Sequence, residues 1–177
     1  TKAHTTIEAD KTPIKGDGVT VVVLGSYNGI SDGFKCDLNQ DGKIDWTGHD
    51  IHNVSIIKAI APDAVVLPRQ VCDARGECPS SSLLRSFFSF INQMNSSPNT
   101  FIFNASLGGP LTDPTLEKLL QQPPFNNLSK FLLVSSTGNN GVTAAHYPAT
   151  NAPGGTIAAT ELPNVMSVAA LGLKGSN

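Results

Sequence analysis

No run of apolar residues in this sequence approaches the ~18 that a bilayer-crossing helix requires, which removes a helical membrane span from the expectations. Clustered Lys and Arg with interleaved aromatics are missing too, so nucleic acid is not an expected partner. Charge is sparse: 15% of residues are charged, and 12 basic against 14 acidic residues leave a net charge of -2. Repeats, low-complexity tracts and long linkers are also lacking. What is present is a chain of 177 residues, 40% of them hydrophobic, long enough for one domain with a real core and short for two. It begins Thr1-Lys2-Ala3-His4, without an initiator Met or a signal-peptide pattern, so the expectation is a soluble chain processed or cut from something longer.

Cysteine is scarce as well. Cys72 and Cys78 bracket the polar stretch 73–77, which can close as a local disulfide loop in an oxidising compartment and would leave Cys36 unpaired. Three reduced thiols are the alternative. Four sequons, beginning at Asn53, Asn95, Asn104 and Asn127, carry little weight in a chain rich in Asn and Ser.

The apolar residues that remain are grouped. Val19 to Leu24 is a nearly continuous β-branched run after the turn Lys15-Gly16-Asp17-Gly18, which reads as a strand buried on both faces and therefore parallel. Similar short runs follow at Ala64 to Leu67, Thr100 to Phe103, Phe131 to Val134 and Val165 to Ala169. Helical patterns lie between them at His49 to Ile60, Ser81 to Met94 and Thr115 to Gln121, stopped by Pro62-Asp63, Pro98 and Pro123-Pro124. Alternation of this kind predicts an α/β fold, a doubly wound parallel sheet in three α/β/α layers, with an N-terminal extension over 1–18 and the domain over 19–177. Ligands of such sheets bind beyond the carboxyl ends of the strands, so a site should draw on Gly25 to Ile30, Asn104 to Pro110 and Ser135 to Gly141.

Four segments carry a family resemblance. The strand Val19 to Leu24, the segment Gly48-His49-Asp50-Ile51-His52-Asn53-Val54, the run Phe103-Asn104-Ala105-Ser106-Leu107-Gly108-Gly109-Pro110 and the run Ser135-Ser136-Thr137-Gly138-Asn139-Asn140-Gly141 occur in the order found in subtilisin-like serine proteases. Tyr147-Pro148-Ala149 and the strand from Asn164 to Ala170 extend the likeness, which resembles the N-terminal, incomplete part of a subtilisin-like fold. The resemblance implies His49 as general base and Asn139 as the oxyanion-hole donor. It implies that Ser106, Leu107 and Gly108 pair with substrate backbone, the glycines leaving room for the approach. A helix-face His, a turn-forming Asn and a simple Gly-Gly-Pro loop are the plainer readings of the same residues.

Departures from the pattern bear on activity. Gly25 stands where the family carries its triad Asp, and Asp50, although next to His49, does not share a helix face with it and is expected to be a poor substitute. Asp50 and Ile51 also replace the family's Gly and Thr after the His. A Gly-Thr-Ser-Met-Ala nucleophile segment does not occur within these 177 residues. Separate from the resemblance, Asp37, Asn39, Asp41, Lys43 and Asp45 fall at positions one, three, five, seven and nine of an EF-hand-type loop, with Gly42 at the sharp turn, and Lys43 would bind through its carbonyl. Position twelve is Gly48, without a bidentate carboxylate, so calcium affinity is expected to be modest.

Two functions follow as expectations. One is a serine endopeptidase domain, present as a fragment or degenerate copy, inactive as this chain alone, secreted or otherwise extracytoplasmic, acting on a peptide or protein substrate. The other is a pseudoprotease that keeps the peptide groove as a binding or scaffold module. Either is expected to need a completing C-terminal chain or to associate with itself. A flavodoxin-like binding domain is disfavoured, because no phosphate-cradling Gly-rich turn follows the first strand.

Overall fold

The computed structural model describes residues 13, 15–25, 48–73, 77–108, 113–137 and 162–168, with 48 and 49 described through their backbone alone. Five strands and three helices lie among them: β1 (Val19–Gly25), α1 (Gly48–Ile60), β2 (Val65–Gln70), α2 (Ser80–Ser96), β3 (Thr100–Ala105), α3 (Pro114–Leu120), β4 (Phe131–Ser136) and β5 (Val165–Val168). The strands form one sheet in the order β2-β1-β3-β4-β5. All four pairings are parallel. The fold is a doubly wound α/β sheet.

Side-chain alternation assigns the two faces. On one, Val22, Leu24, Phe101, Phe103, Phe131 and Leu133 meet Leu83, Phe87, Phe90 and Met94 of α2 and Leu116 and Leu120 of α3. On the other, Val21 and Val23 meet Val54 of α1 together with Ile51, Ile57 and Ala61. Residues 83, 87, 90 and 94 are spaced by four, three and four, the stripe that a helix buries against a sheet. Travel from β1 to β2 runs one way with α1 on one face, and the later crossovers run back with α2 and α3 on the opposite face. A constant crossover hand demands that reversal.

The first core is aromatic at its centre. Phe87 has its ring centroid 4.8 Å from that of Phe103, 5.6 Å from Phe125 and 6.0 Å from Phe131. Tilted and edge-on rings dominate, the arrangements that the ring quadrupole favours. Buried Asn164 ties the turn after α3 to β5: its Nδ2 donates to the carbonyls of Leu120 and Phe125, both at 2.8 Å, while its own carbonyl accepts from Leu133 N–H. Two carbonyls that would otherwise be buried without a donor are satisfied by one side chain.

Local chemistry sets the element ends. Asp113 caps α3, its Oδ1 accepting from the N–H groups of Thr115 and Leu116. Burial pushes its carboxyl pKa up, but hydrogen bonds from the Ser80 hydroxyl, Leu116 and Thr115 outweigh this and leave it below the ordinary value. Gly16 adopts φ +96°, and a Cβ there would lie 2.9 Å from Ala64 Cβ, so the turn into β1 needs glycine for both conformation and room. Asp63 N–H donates to Lys15 O, so residues 15–18, expected as part of an extension, pack on the body of the domain.

Two strands differ from the expectation. β2, read as buried, lies at the edge of the described sheet, leaves Val65 exposed and runs on through Pro68 to Gln70. An edge position tolerates the missing proline N–H, which a central strand would not. β5 is likewise half open, with Met166 51% and Val168 49% exposed on the face away from α2 and α3.

Candidate functional site

In a 2-1-3-4-5 sheet the chain reverses direction between β1 and β3, and ligands bind outside the carboxyl ends of the strands at that switch point. Gly25 ends β1 there, and Ala105 ends β3, with Ser106, Leu107 and Gly108 continuing from it. Helix α1 begins at the same edge, because Asp50 of its first turn contacts Gly25. The opposite end of α1 lies at the amino edge, where Lys58 Nζ donates to Ala64 O at 2.6 Å.

The Asp50–Gly25 contact is the most informative feature of this edge. A Cβ built on Gly25 falls inside contact distance of all three atoms of the Asp50 carboxyl group, Cγ, Oδ1 and Oδ2. Asp50 is 5% exposed. Its periodicity explains why: positions 50, 54 and 57 form the stripe that α1 lays on β1, continued by Ala61 just past the helix end, and Asp50 occupies the first of them. A carboxylate in the first helical turn is also favoured by the N–H groups that open there. Thus the space beside the end of β1, where a side chain at position 25 would start, holds a carboxylate delivered from the helix. Asp50 does not face His49, and the sequence signal that marks it is different: an acid stands where the α1 stripe calls for an apolar residue.

The expected substrate strand is partly placed. Asn104 Nδ2 donates to Ser106 Oγ at 3.2 Å, and Ser135 Oγ donates to Ala105 O at 3.3 Å, which fixes the exit of β3 against β4. Leu107 packs partly on the α2/α3 core, so Ser106 to Gly108 offers a ligand backbone groups and one hydroxyl, with Gly108 exposed. These three residues belong to no strand of the described sheet. The backbone of His49 is at the start of α1, on the same edge as Gly25, whereas its side chain lies outside what is described. Asn139, Gly109, Pro110, Cys36, Tyr147-Pro148-Ala149 and the loop ligands Asp37, Asn39, Asp41, Lys43 and Asp45 are outside the described residues as well. Among the described residues no cluster of three or more His, Cys, Asp or Glu could hold a metal, and no helix is long and apolar enough to cross a membrane.

A disulfide flanks this edge. Cys72 and Cys78 are bonded, with Cα atoms 4.0 Å apart. The carbonyl of Gly25 accepts from Val71 N–H at 2.7 Å and Cys72 N–H at 3.1 Å, so the bridged loop is hydrogen-bonded directly to the end of β1. Asp73 and Glu77 close the loop further, each accepting from the other's backbone N–H at 2.9 Å. Compared with known proteins, the chain matches no family model and no curated sequence.

Proposed function

We propose that this chain is the N-terminal part of a subtilisin-like serine endopeptidase domain, a fragment or degenerate copy that does not hydrolyse peptides by itself. The observation that carries the reading is the convergence of Gly25, the start of α1 with His49, and Ser106 to Gly108 on one carboxyl edge at the switch point. In this reading His49 is the base, Asn139 the oxyanion donor, and Ser106, Leu107 and Gly108 the segment after β3 that meets peptide backbone. Asp50 is the carboxylate of the edge. The Cys72–Cys78 bridge supports an oxidising, extracytoplasmic setting.

Parallel sheets are covered on both faces, and the α1 face of β3 to β5 presents Ile102, Leu132 and Val134 half-buried beside exposed Met166 and Val168. The proposed occupant is a continuation of the same domain that carries the nucleophile. A product of the parent gene reaching past Asn177 is therefore expected to be monomeric where the 177-residue chain self-associates, and to be labelled by a fluorophosphonate serine probe. A longer product that binds peptide but resists the probe would favour the second reading, a pseudoprotease scaffold, which Gly25 supports. One that neither binds peptide nor takes the probe would remove both.

The loop from Asp37 to Asp45 is proposed to hold calcium, which would stiffen the approach to His49. Calcium is expected to raise the Tm by several degrees over chelator, following the mass-action gain of about 2.7 kcal/mol at a hundredfold excess over Kd. Superimposable melting curves in calcium and in chelator would dismiss the site.

A further inference from the structure

The four sequons differ in the structure, and the difference selects one of them. Asn53 is half-buried in α1. Asn104 is half-buried inside β3, paired on both sides, with its Nδ2 donating to Ser106 Oγ at 3.2 Å. Asn95 is exposed but lies in the last turn of α2, and the hydroxyl of its sequon, Ser97 Oγ, accepts from Asn99 N–H at 3.1 Å. Asn127 alone sits in a turn, with Asn127, Leu128 and Ser129 all exposed.

There the polarity of the contact is reversed. Ser129 donates to Asn127 Oδ1 from Oγ at 2.7 Å and from its N–H at 3.0 Å, an Asx-turn closed by the sequon's own hydroxyl. Asn127 Nδ2 makes no hydrogen bond among the described residues. The backbone around it is fixed, Asn127 O accepting from the N–H groups of Lys130 and Phe131 at 2.8 and 2.9 Å. The turn leads into the amino end of β4, the edge opposite Gly25 and Ser106, so a bulky group on Asn127 would stand in solvent and leave the candidate site open. A glycan on Asn53 or Asn104 would have to be accommodated inside an element. The independent sign of a suitable compartment is the Cys72–Cys78 disulfide.

We infer that Asn127 is an N-glycosylation site of this protein. In the transfer, Asn127 Nδ2 bonds to the anomeric carbon of a lipid-diphosphate-linked oligosaccharide, the bond from that carbon to the phosphate oxygen breaks, the lipid diphosphate leaves with the electron pair, and the transferase takes the amide proton. The inference does not depend on the protease reading. It is tested by passing the chain, behind a cleavable signal sequence, through a eukaryotic secretory pathway. One Asn-linked glycan is expected, removed by an amidase that leaves Asp at position 127 in peptide mapping. Asn127→Gln and Ser129→Ala should each abolish the mass shift, and Asn95→Gln should retain it. Mapping the unsubstituted chain decides the matter even if a variant fails to fold. A chain without glycan, secreted or retained, or a glycan mapped to Asn53, Asn95 or Asn104 in place of Asn127, overturns the inference.

Discussion

Phe87→Ala is expected to lower the free energy of unfolding by about 4 kcal/mol, with little change in the denaturant slope. Phe87 is fully buried and touches three further rings, those of Phe103, Phe125 and Phe131. Those rings belong to β3, the turn after α3 and β4, so the phenyl group joins three separate segments to α2. Truncation leaves a cavity that the surrounding rings, already packed on one another, can fill only in part. Its neighbour provides the control, since Phe88 is 53% exposed and Phe88→Ala should cost under about 1 kcal/mol. Urea denaturation of both variants checks the pair. Equal losses at the two positions would contradict the face assignment of α2.

Gly25→Ala is expected to cost about 3 kcal/mol, an unusual penalty for adding one methyl group. The φ of Gly25 lies outside the left-handed region, so conformation is not the obstacle. Space is, because the new Cβ would clash with the Asp50 carboxyl group. To admit it, a buried carboxylate has to leave the position its helix gives it. The same methyl group should be tolerated once Asp50 is gone: in an Asp50→Gly background the penalty should shrink by about 2 kcal/mol, a coupling in the range found for residues in direct contact. A double-mutant cycle followed by thermal or urea unfolding measures it. Additive effects would mean that the two residues do not share this volume, and Asp50 would then lose its place at the carboxyl edge.

Several features were legible in the chain because they depend on neighbours in sequence. The β-branched run Val19 to Leu24 had nothing charged on either alternating face, which marks a strand covered on both sides. The spacing of Leu83, Phe87 and Ile91 placed α2, and Pro98 and Pro123-Pro124 marked where helices stop. Spacing also offered the Cys72–Cys78 pairing, though as one of two choices, and the structure makes it. Less legible was the edge position of β2. Val65-Val66-Leu67 has the composition of a central strand, and only the arrangement of the other strands leaves it with a single partner among the described residues.

Periodicity and punctuation therefore determined the parallel α/β architecture by themselves, since burial on two faces and helix termination are properties of consecutive residues. Tertiary structure decided which distant residues share a volume. Asp50 against Gly25 and Asn164 against the carbonyls of Leu120 and Phe125 are both contacts across loops of the chain. Among the sequons, Asn127 was distinguished by solvent on its turn and by the direction of one hydroxyl hydrogen bond. Local pattern cannot encode such contacts, because they are fixed by where a close-packed sheet and its helices bring side chains far apart in sequence.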